Sequence, residues 1–204
     1  MDSDTPINTA LTKCERTIDI GFIMDSSGSL RHYYRDEKNF LKHLSEVFGV
    51  TKEGSHAGVL TFSTRAQLNI RLNQYSSQYS FNSAVDRIPY MSGGTRIDLG
   101  LRYGFGQLFS LANGARTNVV RLMVLITDGS QSRLRGARDP AEIAQYIRSK
   151  GIQLLVIGIG NGINKKELGR IAGGTWYSAK NWDELKSGEF LHKMSQSICK
   201  TAKG

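Results

Sequence analysis

Strand-like apolar runs recur along the chain at residues 18–24, 57–62, 66–70, 119–127, 153–158 and 175–178. Between them the apolar residues take a helical spacing, over 30–47, 79–86, 95–111, 140–150, 165–171 and 182–199. This alternation predicts an α/β domain: a doubly wound, mostly parallel sheet with helices on both faces. The reversal Phe62-Ser63-Thr64-Arg65-Ala66 is hairpin-like and adds one short antiparallel edge strand. Asp139 before Pro140 opens a helix as a cap followed by a first-turn proline, and Gly151 after Lys150 stops it.

At 204 residues the chain can close one sizeable core, and no repeat or low-complexity block suggests a second. Residues 1–13 are polar, contain Pro6 and read as a linker; residues 14–199 form the single domain and 200–204 a short tail. No run approaches the roughly twenty apolar residues of a membrane span. No apolar stretch near Met1 reads as an export signal, so an exported protein would carry this chain as a mature or excised domain.

The first run carries the most chemistry. Ile18 to Met24 is apolar except for Asp19, the mark of a buried strand, and it leads into Asp25-Ser26-Ser27-Gly28-Ser29 at the strand's carboxyl end. Open α/β sheets bind ligands at that edge. Asp25, Ser27 and Ser29 alternate, so on extended backbone their oxygens converge, a donor set suited to a small hard cation such as Mg²⁺. Taken alone, the segment reads equally as a turn in which Ser29 caps the helix from Leu30. Two later segments have similar endings. Ser92-Gly93-Gly94-Thr95 precedes a helical pattern, and the run from Val119 to Ile126 closes on Thr127-Asp128-Gly129, by itself also an ordinary strand end.

Together these segments resemble the von Willebrand factor type A domain, over about residues 17–198. The family's metal-ion-dependent adhesion site combines Asp-x-Ser-x-Ser, a Thr after Gly-Gly and an Asp after a later long strand. The resemblance assigns Asp25, Ser27, Ser29, Thr95 and Asp128 to the metal, with Mg²⁺, Mn²⁺ or Ca²⁺ as the cation. Ile97 stands where the family often has a second Thr, which affects hydrogen bonding around the site but not a principal ligand. The resemblance also implies a Rossmann-like sheet, and Thr95 and Asp128 exchanging direct and water-mediated roles as the site opens. Extracellular members often close the domain with a terminal disulfide. Here that implies a bridge between Cys14, just before the first strand, and Cys199, at the end of the last helix. Such a bridge closes a very long loop, worth about 4–5 kcal/mol by chain entropy, and it implies secretion. Two unrelated buried thiols are the alternative.

Charge bears on the partner. The net charge is +9 with a pI near 9.7. Arg31 follows the first metal loop, Arg96 follows Thr95, and Arg133, Arg135 and Arg138 follow Asp128. On one face these arginines would ring the metal and bind neighbouring acidic groups of a ligand. They read equally as a solvated surface that favours solubility. Tyr33 and Tyr34, beside the first loop, either touch a ligand or pack the helix start. Nucleic acid is not an expected partner, because the basic face lacks interleaved aromatics and no nucleic-acid module is recognisable.

Catalysis is not expected either. No Gly-x-Gly-x-x-Gly follows the first strand, and no Gly-Lys-Ser/Thr opens a helix. An aspartyl phosphatase would need a second Asp where Ser27 stands. The four histidines are scattered without metal spacing. The reading is therefore a non-catalytic, cation-dependent adhesion module of a secreted extracellular-matrix or cell-adhesion protein. Three neutral hydroxyls among five ligands leave the cation enough positive charge to recruit an external carboxylate, and the family resemblance implies that a matrix partner such as collagen supplies it. A rival reading is a matrix-assembly module that binds acidic or sulfated glycans through its basic surface and leaves the metal idle. An intracellular type A module is the third.

Overall fold

The computed structural model describes residues 16–201; residues 1–15, with the expected linker and Cys14, and residues 202–204 of the expected tail lie outside the described residues. Six strands build one sheet: β1 (Ile18–Asp25), β2 (His56–Phe62), β3 (Ala66–Ile70), β4 (Val120–Thr127), β5 (Ile152–Ile159) and β6 (Tyr177–Ala179). Their order is β3-β2-β1-β4-β5-β6, and every neighbouring pair is parallel except β2 and β3. Only Ser63, Thr64 and Arg65 separate those two, too short a link for the crossover that a parallel pair requires.

β1 and β4 occupy the centre and are covered on both faces, which is why they are near-continuous apolar runs and not alternating ones. Their side chains still alternate between two cores. Ile18, Ile20, Phe22 and Met24 join Leu122, Val124 and Ile126 on one face. That face is covered by α1 (Tyr34–Glu46), α2 (Gln78–Asp86), α6 (Trp182–Leu185) and α7 (Gly188–Thr201). On the other, Ile23, Met123 and Leu125 meet α3 (Ile97–Tyr103), α4 (Pro140–Ser149) and α5 (Lys165–Ala172). Gly21 leaves room on this second face: a Cβ there would stand 2.5 Å from the Phe109 ring.

α4 starts and stops as its sequence signals require. The Asp139 carboxylate accepts from Ala141 N at 2.9 Å, Pro140 fills the first turn, and Gly151 takes φ +74° beyond the end. Three other predicted helices are interrupted. The stretch 30–47 opens as a 3-10 turn, Gly28–His32, before α1 begins at Tyr34. No side chain caps that turn; Ser29 Oγ instead donates across to Asp128. Beyond α3 the backbone widens into a π turn, Gly104–Leu108, where a Cβ on Gly104 would stand 2.7 Å from Ile23 Cδ1. The stretch 182–199 divides between α6 and α7 at Ser187, whose hydroxyl accepts from Phe190 N. Among the described residues no helix is long and apolar enough to cross a membrane.

Candidate metal centre

Three loops meet at the carboxyl end of the central strands. β1 delivers Asp25, which is fully buried. One carboxylate oxygen accepts from Ser27 N at 2.8 Å and the other from the Thr127 hydroxyl at 2.6 Å. Strand register explains the second contact: Met24 pairs with Ile126, so the next residue of each strand stands side by side. Ser27 Oγ lies 3.3 Å from Ser29 Oγ, and Ser29 Oγ donates to Asp128 Oδ1 at 2.9 Å. Asp25, Ser27, Ser29 and Asp128 thus form one chain of contacts across two loops.

The third loop is pinned against the first. Gly28 N donates to Gly93 O and Met91 N to Ser26 Oγ, both at 2.8 Å. The Tyr90 hydroxyl donates to the carbonyls of Ser27 and Gly28. Gly93 takes φ +107°, and a Cβ there would stand 2.5 Å from Thr64 Oγ1, so this turn requires glycine on two counts. Thr95 follows, its N–H donating to Ser132 Oγ while its carbonyl accepts from Ser132 N. A Cβ on Gly129 would meet Thr95 Oγ1 at 3.4 Å, which sets the threonine hydroxyl beside the Asp128–Gly129 turn. All five residues that the sequence singled out for a metal therefore gather around one sheet edge.

Electrostatically the edge is short of positive charge. Burial pushes Asp25 up to about 6, against the hydrogen bonds from Thr127 and Ser27 that lower it. Burial also raises Asp128, against its bond from Ser29. A third acid, Glu37 on α1, is raised well above the carboxylate range, first by burial and then by Asp25 and Asp128. Both Glu37 oxygens are buried without a hydrogen-bond partner. Among the described residues no three His, Cys, Asp or Glu side chains converge as a metal cage, so any ion here would rest on two carboxylates and neighbouring hydroxyls. Such an all-oxygen set, crowded with acid, fits a divalent hard cation that keeps some of its waters.

The arginines divide. Arg31, Arg133, Arg135 and Arg138 are exposed, and none forms an ion pair among the described residues. Arg96 departs from the expected ring. It is 8 % exposed, and its guanidinium forks onto Asp98 at 2.7 and 2.8 Å, with a further bond to Gly136 O. Asp98 also accepts from Gln131 Nε2 and Arg138 N, so this cluster fastens the loop after β4 to the start of α3 instead of presenting a cation to a ligand. Ile97 is buried in the second core, its side chain turned away from any hydrogen-bonding duty. Tyr34 is buried and donates to Pro89 O, while Tyr33 stacks on Trp182 with ring centroids 5.5 Å apart.

Sequence reasoning passed over Thr127, Asp98, Gln131 and Glu37. Thr127 and Glu37 left a signal: one is the residue beside Asp25 in strand register, the other an acid in an apolar helical stripe. Cys199 is half-buried on α7 and packs against the first core; its expected partner Cys14 lies outside the described residues.

Comparison with known proteins bears directly on this edge. The family model of the von Willebrand factor type A domain matches residues 19–191. A von Willebrand factor A domain-containing protein 2 from Xenopus laevis is 31% identical over 189 residues, covering 91% of this chain and 23% of its own. A human collagen alpha-5(VI) chain is 32% identical over 184 residues, covering 89% of this chain and 7% of its own. The chain thus spans less than a quarter of either relative's length. Proximal thread matrix protein 1 of the mussel byssus, solved with a zinc-occupied MIDAS motif, superposes with a TM-score of 0.81 at 28% identity. That match covers 92% of this chain and 47% of the mussel protein.

Proposed function

The chain belongs to the von Willebrand factor type A family, and on that footing we propose that it is a non-catalytic binding module of the extracellular matrix, working through a divalent cation. The observation that carries this reading is the contact chain Asp25–Ser27–Ser29–Asp128, with Thr95 Oγ1 beside the Asp128–Gly129 turn. The mussel matrix protein with zinc in its MIDAS motif and the collagen relative support it. Asp25, Ser27, Ser29, Thr95 and Asp128 hold Mg²⁺ or Mn²⁺. When bound, the cation supplies an open coordination position for an acidic group of the partner, a carboxylate of a collagen or another matrix protein. Ser27, Ser29 and Thr95 contribute no charge, so they leave the ion's charge less neutralised than a cage of carboxylates would. Thr127 and the Ser27 N–H hold the Asp25 carboxylate in one orientation, which prepares the edge before a ligand arrives.

The test is capture of the domain on collagen or matrix extract with Mg²⁺ against the same buffer with chelator. Capture that survives chelation overturns the cation-dependent reading. A second reading, binding of sulfated glycan with the metal idle, is favoured by Arg31, Arg133, Arg135 and Arg138, which are exposed and form no ion pair among the described residues. Heparin-column retention that ignores chelator but falls steeply with salt supports it. Changing Arg133, Arg135 and Arg138 together to Ser is expected to weaken acidic-partner binding about three- to tenfold at low salt and to flatten its salt dependence. Affinity unchanged across a salt series returns those arginines to plain solvation.

Secretion belongs to the same proposal. A Cys14–Cys199 bridge ties the far end of α7 to the start of β1, so the helix cannot travel a full turn of about 5.4 Å. The module is then a binder of fixed affinity. A large change in affinity on reduction of the folded domain contradicts this.

A further inference from the structure

A groove of about 390 Å³ runs between α3 with its π turn on one side and α4 on the other. Arg102 and Phe105 line the first side; Arg138, Glu142, Ile143 and Tyr146 line the second. None of the five residues assigned to the cation is among them. The apolar part of the groove comes from a departure in each helix. Gly104 packs closely on Ile23, and the backbone there widens into the π turn that brings Phe105 against α4. Such widened turns recur at functional sites. α4 buries Ala141, Ala144 and Ile147 in the second core, yet it also carries Ile143 and Tyr146 beside that face. Tyr146 is 53 % exposed and meets the Phe105 ring edge-on, with centroids 5.4 Å apart. A Cβ on the adjacent Gly106 would meet nothing within 4 Å, so the surface beside Phe105 stays open. Arg102 and Arg138 are exposed and enter no ion pair among the described residues. Lys150 holds its ammonium 5.1 Å from the Tyr146 ring centroid. Glu142 is the single acid of the lining.

We propose that this groove is a docking site for a peptide segment of a partner protein, one that presents an aromatic side chain flanked by carboxylates. The ring packs among Phe105, Ile143 and Tyr146, and the carboxylates meet Arg102 and Arg138, whose planar forks suit that group. Charge complementarity selects the occupant: two guanidiniums outside any ion pair, with Lys150 beside them, face one carboxylate. The apolar surface selects further. A sulfated glycan or other polyanion leaves Phe105 and Ile143 uncovered and is repelled by Glu142. Size sets the last limit, because the cavity lies near the lower end of the roughly 300–1,000 Å³ typical of small-ligand sites. It admits one or two anchoring side chains and not a folded surface. Aromatic and arginine side chains are the types that dominate such anchors. The groove and the cation edge have no residue in common, so this second contact with a partner stands whether or not the cation does.

The experiment is NMR titration of the isotope-labelled domain with the blocked peptide Ac-Gly-Glu-Phe-Glu-Gly-NH₂, in chelator so that no cation can receive a carboxylate. Saturable shifts are expected at the amides of residues 102–108 and 138–147, weakening as salt is added, while residues 25–29 and 92–95 stay still. Replacing Phe by Ser in the peptide, or both Glu by Gln, is expected to weaken binding about tenfold. On the protein, Tyr146→Ser is expected to cost about tenfold and Arg102→Gln about three- to tenfold. Mn²⁺ titration of both variants should match the unaltered domain. Equal binding of either altered peptide overturns the proposal, which requires both ring and charge. The peptide series needs no protein variant, so it decides even if Tyr146→Ser does not fold. Shifts centred on the metal loops, or no saturable shift at millimolar peptide, also overturn it. A sulfated heparin tetrasaccharide is titrated alongside; tighter binding of it at the same amides hands the groove to glycan.

Discussion

Asp25→Ala is expected to abolish divalent-cation binding while leaving the domain folded. Asp25 is wholly buried, unlike the other acid among the five residues, and it is held from two sides by Thr127 and the Ser27 N–H. Removing the carboxylate strands those two donors, at about 1–3 kcal/mol each where water cannot reach them. It also removes a charge that burial disfavours, which offsets part of that cost. The remaining acid, Asp128, is bonded by Ser29 on a partly open loop and is too little to hold a dication with three neutral hydroxyls. Calorimetric titration with Mn²⁺ checks the result. Undiminished binding in the variant places the ion elsewhere and dissolves the five-residue site.

The same carboxylate gives the site a pH signature. Asp25 is raised from 3.8 to about 6, so the cation-free folded domain binds a proton there more tightly than the unfolded chain does. Stability from this group is therefore greatest below about 4 and is lost as pH rises through 4–6. Cation binding runs the other way, because the ion needs the carboxylate: affinity is full above about 7 and falls as pH drops through 6. Calorimetry at pH 7.5 and 5.0 should show much weaker Mn²⁺ binding at the lower pH, and Asp25→Asn should abolish that difference. Equal affinity at both pH values in the unaltered domain contradicts the assignment of Asp25 as a ligand.

How much of this could be read from the chain follows from how local each cause is. β1 and β4 were legible because burial on both faces leaves an unbroken apolar run, and the antiparallel edge because three residues cannot make a crossover. Asp25, Ser27 and Ser29 were legible as a motif, although the extended backbone expected across them ends at Asp25 and Ser29 stands in the 3-10 turn, where its hydroxyl still meets Ser27 Oγ. Arg96 was not. Its sequence position promised an exposed cation beside Thr95, but Asp98, Gly136 and the fold of the later loop consume the guanidinium. The π turn at Gly104–Leu108 depends on packing against Ile23 of another element and leaves no periodic trace. Glu37 was within reach, since an acid at an apolar helical position is visible in a wheel; its two acidic neighbours were not.

Asp19 shows the same division and carries the largest expected effect on stability. The sequence marks it as the polar exception in β1, while its partner lies 97 residues away and could not be named. Asp19 is fully buried, and the Arg116 guanidinium reaches one of its oxygens through Nε at 2.8 Å and Nη2 at 2.6 Å. The Arg116 backbone N–H bonds the other oxygen at 2.6 Å, and its side chain continues to the carbonyls of Gly54 and Ile18. Breaking a buried pair by removing one partner leaves the other charge uncompensated, at about 3–5 kcal/mol. Arg116→Met is therefore expected to lower the free energy of unfolding by that amount, read as a lower denaturant midpoint with little change in slope. Adding Asp19→Asn should recover part of the loss, because the stranded charge goes with it. The pair sits at the amino end of β1, about 20 Å of strand from Asp25. Mn²⁺ affinity of the folded variant should accordingly match the unaltered domain. A midpoint that does not move would mean that the backbone N–H and His56, 3.8 Å away, suffice to hold Asp19. A fall in cation affinity without a fall in stability would mean that the two ends of the central strand are coupled.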